Sequence, residues 1–180
     1  MTEISGGRSL KPAWIDLLID ESTLDFSRLL QDWRWLLVGS FRVVVGSKFG
    51  DWFVERPGGA VEMLDMQSGQ LRQVAGSRDE FYQLIRTREK QEEWLRSDLV
   101  TSLHERGIVP DAGQCYAFSV SPILGGKVDP ESVELMDLAV WVSFCGQIQE
   151  QVRNLPPETE IPGPAVEGDV GLDPSDAGSA

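Results

Sequence analysis

Two β-rich runs facing each other across a Pro-Gly-Gly turn constrain this chain more than any other feature. Asp51-Trp-Phe-Val-Glu-Arg56 and Ala60-Val-Glu-Met-Leu-Asp65 flank Pro57-Gly58-Gly59. Strand-forming residues on both sides of such a turn predict an antiparallel hairpin. The hairpin extends in both directions. Phe41–Val45 reads as a strand before it, and Gln67-Ser68-Gly69 is a second turn that lets Gln70–Ala75 return as another strand. The sum is an antiparallel meander.

Around the meander the apolar spacing becomes helical. Ala13–Ile19 suits one or two helical turns. Ser22 or Asp25 then caps a helix on which Phe26, Leu29, Leu30, Trp33 and Leu37 share a face. Ser77-Arg-Asp-Glu80 matches a capping box opening a helix with Phe81, Leu84 and Ile85 inward. One further helix carries Trp94, Leu95, Leu99 and Leu103 and ends at Gly107. Cys115–Val120 reads as a strand, Pro122–Gly126 as a loop, and Val133–Phe144 as a strand or bent pair of strands. Gly146–Asn154 suits a short helix stopped by Pro156-Pro157. The fold class expected is α+β: a twisted, mostly antiparallel sheet with helices packed against it. Residues 12–161 form one domain with a helical lead-in over 12–34, after a flexible 1–11. Of the six tryptophans, Trp33, Trp52 and Trp94 sit in apolar patterns and are assigned to the core. Trp14, Trp35 and Trp141 stay open between core and surface.

Charge narrows the partners. Net charge is −13, and residues 154–180 hold six acids and no Lys or Arg, so residues 162–180 read as a disordered acidic tail and the body is acidic in its own right. A surface of this sign repels phosphate backbones and attracts a basic protein. The N-terminal residues lack the apolar run of a signal peptide, and no stretch is long enough to span a bilayer, so a cytoplasmic protein is expected with no membrane partner. Cys115 and Cys145 are too few for a disulfide scaffold and read as reduced, structural thiols.

No catalytic constellation emerges. His104 is the single histidine and suits the C-terminal turn of a helix. One histidine and two distant cysteines do not make a typical zinc site, and no glycine pair matches a phosphate loop, so neither metal nor cofactor is expected. Glu62 with Asp65, or Glu131 with Glu134, are conceivable carboxylate pairs, though such residues usually serve as solvated charge. Asp129, Glu131, Glu134 and Asp137 make more sense as an acidic partner-binding patch.

Several short motifs occur in a telling order. They are Phe49-Gly50-Asp51, Gln114-Cys115-Tyr116, Leu124-Gly125-Gly126 and Gly146-Gln147, the last followed by Gln151. In this order, across residues 35–161, the chain resembles the C-terminal domain of type VI secretion immunity proteins that protect against DNase effectors, a domain often preceded by a GAD-like segment and similar in outline to the SUKH superfamily. Gln149 departs from the pattern, standing where the resemblance leads one to expect histidine. In physical terms, Phe49-Gly50-Asp51 begins a strand at a tight approach, Gly125-Gly126 permits positive φ, Gly146 lets a strand end against a helix, and Gln147 and Gln151 satisfy buried backbone groups. The resemblance implies a non-enzyme that binds and occludes a cognate toxin of nuclease type, and the net charge of −13 fits a basic one. Two readings from other classes stand beside it: a regulatory or scaffold module, and a hydrolase built on a carboxylate pair.

Overall fold

Alternation along the strands sends side chains to two separate cores, and this organises the molecule. The structure, a computed structural model, describes residues 13–155 except 121, 123 and 124. The expected flexible N-terminus (1–11), the acidic tail (162–180) and Leu124 therefore lie outside the described residues. Strands β1 (Arg42–Gly46), β2 (Trp52–Glu55), β3 (Val61–Asp65) and β4 (Gln70–Ala75) form an antiparallel sheet in sequential order, as the turn signals predict. A two-stranded antiparallel ribbon pairs β5 (Gln114–Phe118) with β6 (Val133–Asp137).

On β2 and β3, Phe53, Val61 and Met63 enter one core, while Trp52, Val54 and Leu64 enter the other. A strand covered on both faces reads as a continuous apolar run, which explains Trp52-Phe53-Val54. In β1 the register shifts between Val43 and Val45, and this bulge lets the adjacent Val44 and Val45 face the same core. The ribbon alternates likewise, with Tyr116, Phe118 and Val133 on one side and Cys115 and Ala117 on the other.

Helices α2 (Arg78–Leu84), α3 (Arg88–Leu95) and α4 (Ser97–Glu105) cover the first core with Phe81, Trp94, Leu95, Val100 and Leu103. Ser77 caps α2 by accepting from the Glu80 amide, but the Glu80 carboxylate reaches the Gly76 amide instead of closing the box on Ser77. The single helix expected over Trp94–Leu103 is two. The chain breaks at Arg96, whose φ of 51° makes it the only non-glycine residue with positive φ among those described. Glu92 stabilises the restart, accepting from the Asp98 amide at 2.7 Å and the Ser97 hydroxyl at 2.9 Å. Gly107 (φ 75°) then ends α4 as expected, and the Ile108 amide returns to the Leu103 carbonyl.

The second core lies under the N-terminal helical segment and the last helix. Asp25, not Ser22, caps the one-turn α1 (Phe26–Leu29), and a 3-10 turn follows at Gln31–Trp33. The last helix, α5, spans Leu138–Arg153, so the β assignment fails for Leu138–Phe144. The physical reason is Asp137, which ends β6 and caps α5 by accepting from the Val140 amide at 3.0 Å. Helical spacing then buries Leu138, Trp141, Val142, Cys145 and Gln149 on one face. No helix among the described residues is long and apolar enough to cross a membrane.

Candidate functional site

Five segments far apart in sequence converge on the turn between β1 and β2. Its hydroxyl pivot is Ser47, fully buried, whose Oγ accepts from the Phe49 and Asp51 amides and donates to Asp51 Oδ2. Asp51 is also fully buried. Its Oδ1 accepts from the Met66 amide at 2.9 Å and its Oδ2 from Arg96 Nη1 at 2.8 Å. The Arg96 guanidinium lies over the Phe49 ring, 5.1 Å from its centroid. Burial opposes the Arg96 charge, yet the Asp51 carboxylate raises its pKa above the ordinary arginine value. Gly50 (φ 88°) turns the backbone under Trp141, which donates from Nε1 to the Phe49 carbonyl at 3.1 Å. The Tyr116 amide donates to the Lys48 carbonyl and the Lys48 amide to the Leu17 carbonyl. Phe49-Gly50-Asp51 is thus a buried tie point before β2, where a strand start was expected.

Three motif residues on α5 need correction. Gly146 lies mid-helix, not at a strand end. A Cβ there would stand 2.8 Å from the Asp32 carbonyl oxygen, so glycine permits α5 to cross the 3-10 turn closely. Gln147 and Gln151 are exposed, and Gln147 only donates to the Ser143 hydroxyl. The role assigned to them falls to Gln149, which is 5% exposed and donates from Nε2 to the Gln67 carbonyl at 2.8 Å. Gly69 (φ 64°) leaves room for this amide, since a Cβ there would meet Gln149 Oε1 at 2.5 Å. A 3.6-residue period brings residue 149 round to the face of Leu138, Trp141, Val142 and Cys145.

Cys115 and Cys145 are buried free thiols in the second core. Burial raises both thiol pKa values, that of Cys145 to about 12 from 9.0. Neither thiol is expected to react with a thiol reagent at pH 8 in the native protein, and both should react once guanidinium unfolds it. A group whose pKa is raised by folding contributes stability below its unfolded value and loses it as pH climbs toward the folded one. The melting temperature should therefore fall from pH 9 upward, and fall less in a Cys115→Ala/Cys145→Ala variant.

The four acids proposed as a patch are spread along the ribbon. Asp129 caps the 3-10 turn Pro130–Ser132 by accepting from the Ser132 amide, and Glu131 pairs with Arg106 at 2.7 Å. Asp137 caps α5 at the opposite end of β6, roughly 13 Å further along at the usual strand rise. Glu134 is exposed between them. Three of the four thus have intramolecular partners, and strand alternation turns Glu134 and Asp137 to opposite sides. Gly125 takes the expected positive φ of 87°. Three of the four conceivable catalytic carboxylates are engaged, Glu131 by Arg106 as above. Glu62 binds Arg56 at 2.6 Å, and Asp65 accepts from the Gln67 and Ser68 amides of the turn. His104 is half-buried in the last turn of α4.

Of the open tryptophans, Trp141 is core, Trp35 half-buried and Trp14 exposed. Sequence reasoning missed Arg96, Glu92 and the contact of Asp32 with Ser143. The first two sit in a charged helical run that reads as ordinary solvent-facing surface.

Residues 75–149 match the family described as "T6SS immunity protein Tdi1, C-terminal". The resemblance to the C-terminal domains of type VI secretion immunity proteins holds across α2 to α5, and it supports an immunity function in general. No curated protein matches the chain. Among solved structures, the crystal structure of Atu4351 from Agrobacterium tumefaciens is similar at a TM-score of 0.45 and 11% identity. That alignment covers 69% of this chain and 65% of the other, so this chain spans less than two thirds of its length.

Proposed function

We propose that this chain is an immunity protein that binds a cognate bacterial toxin one to one and silences it without turnover. The observation that carries the reading is the family match over residues 75–149. The acidic surface supports a basic partner, and a nuclease is the toxin class that such a surface suits best, because carboxylates can stand in for the phosphates it engages. Three of the four carboxylates conceivable as catalysts, Glu62, Asp65 and Glu131, are held by Arg56, turn amides and Arg106, which leaves neither pair free and favours binding over hydrolysis. The reading includes action in the cytoplasm, which two free thiols suit. In this reading Asp137, which caps α5, belongs to the toxin-facing rim, Glu134 lies on the other side of β6, and Asp129 with Glu131 mainly shape the turn that leads into β6.

The test is a titration, in vitro and at two salt concentrations, of a candidate toxin chosen from the products of the genes flanking this chain's own. Inhibition should be complete at one equivalent. Association should slow at the higher salt, because steering is screened beyond roughly 8 Å at physiological ionic strength. Full inhibition by a small fraction of an equivalent would establish turnover and overturn the reading.

A further inference from the structure

The solvent side of α5 carries no charge for three turns. From Leu138 to Gln149 the helix holds no Asp, Glu, Lys or Arg, and its outward residues are Ala139, Val140, Ser143, Phe144 and Gln147. Val140 and Phe144, one turn apart, are 58% and 48% exposed. Beside Val140 and Ala139 runs a groove of about 480 Å³, closed on its far wall by Leu24 and Leu29 of the N-terminal segment. An uncharged outer face is unusual for the surface helix of a protein with net charge −13. Its surroundings are charged. Asp25 and Asp137 cap the two helices that flank the groove, Asp32 accepts from the Ser143 hydroxyl at 2.6 Å, and Glu150 lies one turn beyond Gln147. Arg28 and Arg34 are the cations on the α1 side.

We infer that this stripe is the toxin-docking surface, and that it receives a segment with an apolar centre and basic flanks. The inference rests on the immunity reading above. Charge selects the occupant. Residues 156–180 of this chain carry six acids and no Lys or Arg, and a second copy carries −13, so either would set carboxylates against carboxylates. A basic partner meets the rim with opposite charge while Phe144 and Val140 supply the desolvated anchor that central interface positions provide.

The experiment measures binding of the full chain to a catalytically inactive form of the toxin that the titration above identifies. Val140→Asp/Phe144→Asp should weaken Kd by about 30-fold or more, the loss expected of central anchors. The melting temperature should fall by no more than about 5 °C, since both side chains are about half exposed and Phe144 gives up only its stacking on Trp141. Val38→Asp/Val109→Asp places the same charges on exposed apolar positions elsewhere and should leave Kd within about twofold. Glu150→Lys should slow association most at low salt. Tight binding by the wild type and the stripe variant alike overturns the surface and leaves immunity standing. Failure of the wild type to bind overturns both. A wild-type dimer that the stripe variant converts to monomer, with toxin affinity unchanged, assigns the stripe to a second copy and overturns the inference. So does a melting temperature lowered by about 10 °C or more with unchanged affinity, and lowered equally by deleting residues 156–180, the mark of coverage by that segment.

Discussion

Asp51→Ala should destabilise the protein by about 3–5 kcal/mol, because it strands the Arg96 guanidinium without its counter-charge. For a chain of this size that corresponds to a melting temperature lower by about 10 °C. The Met66 amide and Ser47 hydroxyl lose their acceptor in the same step, and both groups lie where water does not reach. Urea unfolding measures the loss directly. Two companions separate its causes. Asp51→Asn keeps an acceptor for Met66 but not the charge, so it should fall between wild type and Asp51→Ala. Arg96→Gly relieves the left-handed backbone, worth about 1 kcal/mol, but removes the ion pair. It should still be less stable than the wild type, and a gain in stability would show that the pair contributes little.

Trp141→Ala should destabilise the protein by a similar amount, about 3–5 kcal/mol, the range for truncating a large core aromatic. Trp141 is 1% exposed, fills the second core and donates to the Phe49 carbonyl across 92 residues of sequence. Trp141→Phe separates packing from polarity. It retains a ring against Gly50 while leaving the Phe49 carbonyl without that donor, and should lose only about 1 kcal/mol from the missing hydrogen bond. Denaturant curves followed by circular dichroism report both variants. Equal losses for Phe and Ala would mean that the hydrogen bond, not the ring, holds α5 to the turn.

The four-stranded meander was legible because turn chemistry is local. Pro57-Gly58-Gly59 and Gln67-Ser68-Gly69 mark their turns from neighbouring residues alone, and β4 falls on the expected Gln70–Ala75. The first half of α5 was not legible. Leu-Ala-Val-Trp-Val-Ser-Phe is rich in β-branched and aromatic residues, and only the Asp137 cap and contacts with Trp33 and Phe49 decide for helix. The break at Arg96 had no sequence signal, since arginine rarely adopts positive φ and the partner that stabilises it lies 45 residues earlier. The candidate site divides in the same way. The motifs on which the resemblance was read drew attention to Phe49-Gly50-Asp51 and the 146–151 segment, but residue spacing could not tell that Gln149 turns inward while Gln147 and Gln151 face water. The exposed stripe stayed hidden for a related reason: an apolar run reads as core until the opposite face is seen to be packed.

The placement of the two cores also bears on how such proteins can diversify. Residues 75–149 hold α2, α3, α4, the ribbon and most of α5, whereas α1 and the four-stranded sheet those elements pack upon come from residues 26–75. Each core draws its walls from both stretches. Grafting the matched stretch alone onto a different sheet would leave Phe53, Trp52, Asp51 and Met66 to be replaced by strangers on every side. Changes that leave both cores intact are therefore confined to outward positions such as Val140, Phe144 and Gln147, which can vary without disturbing the interior.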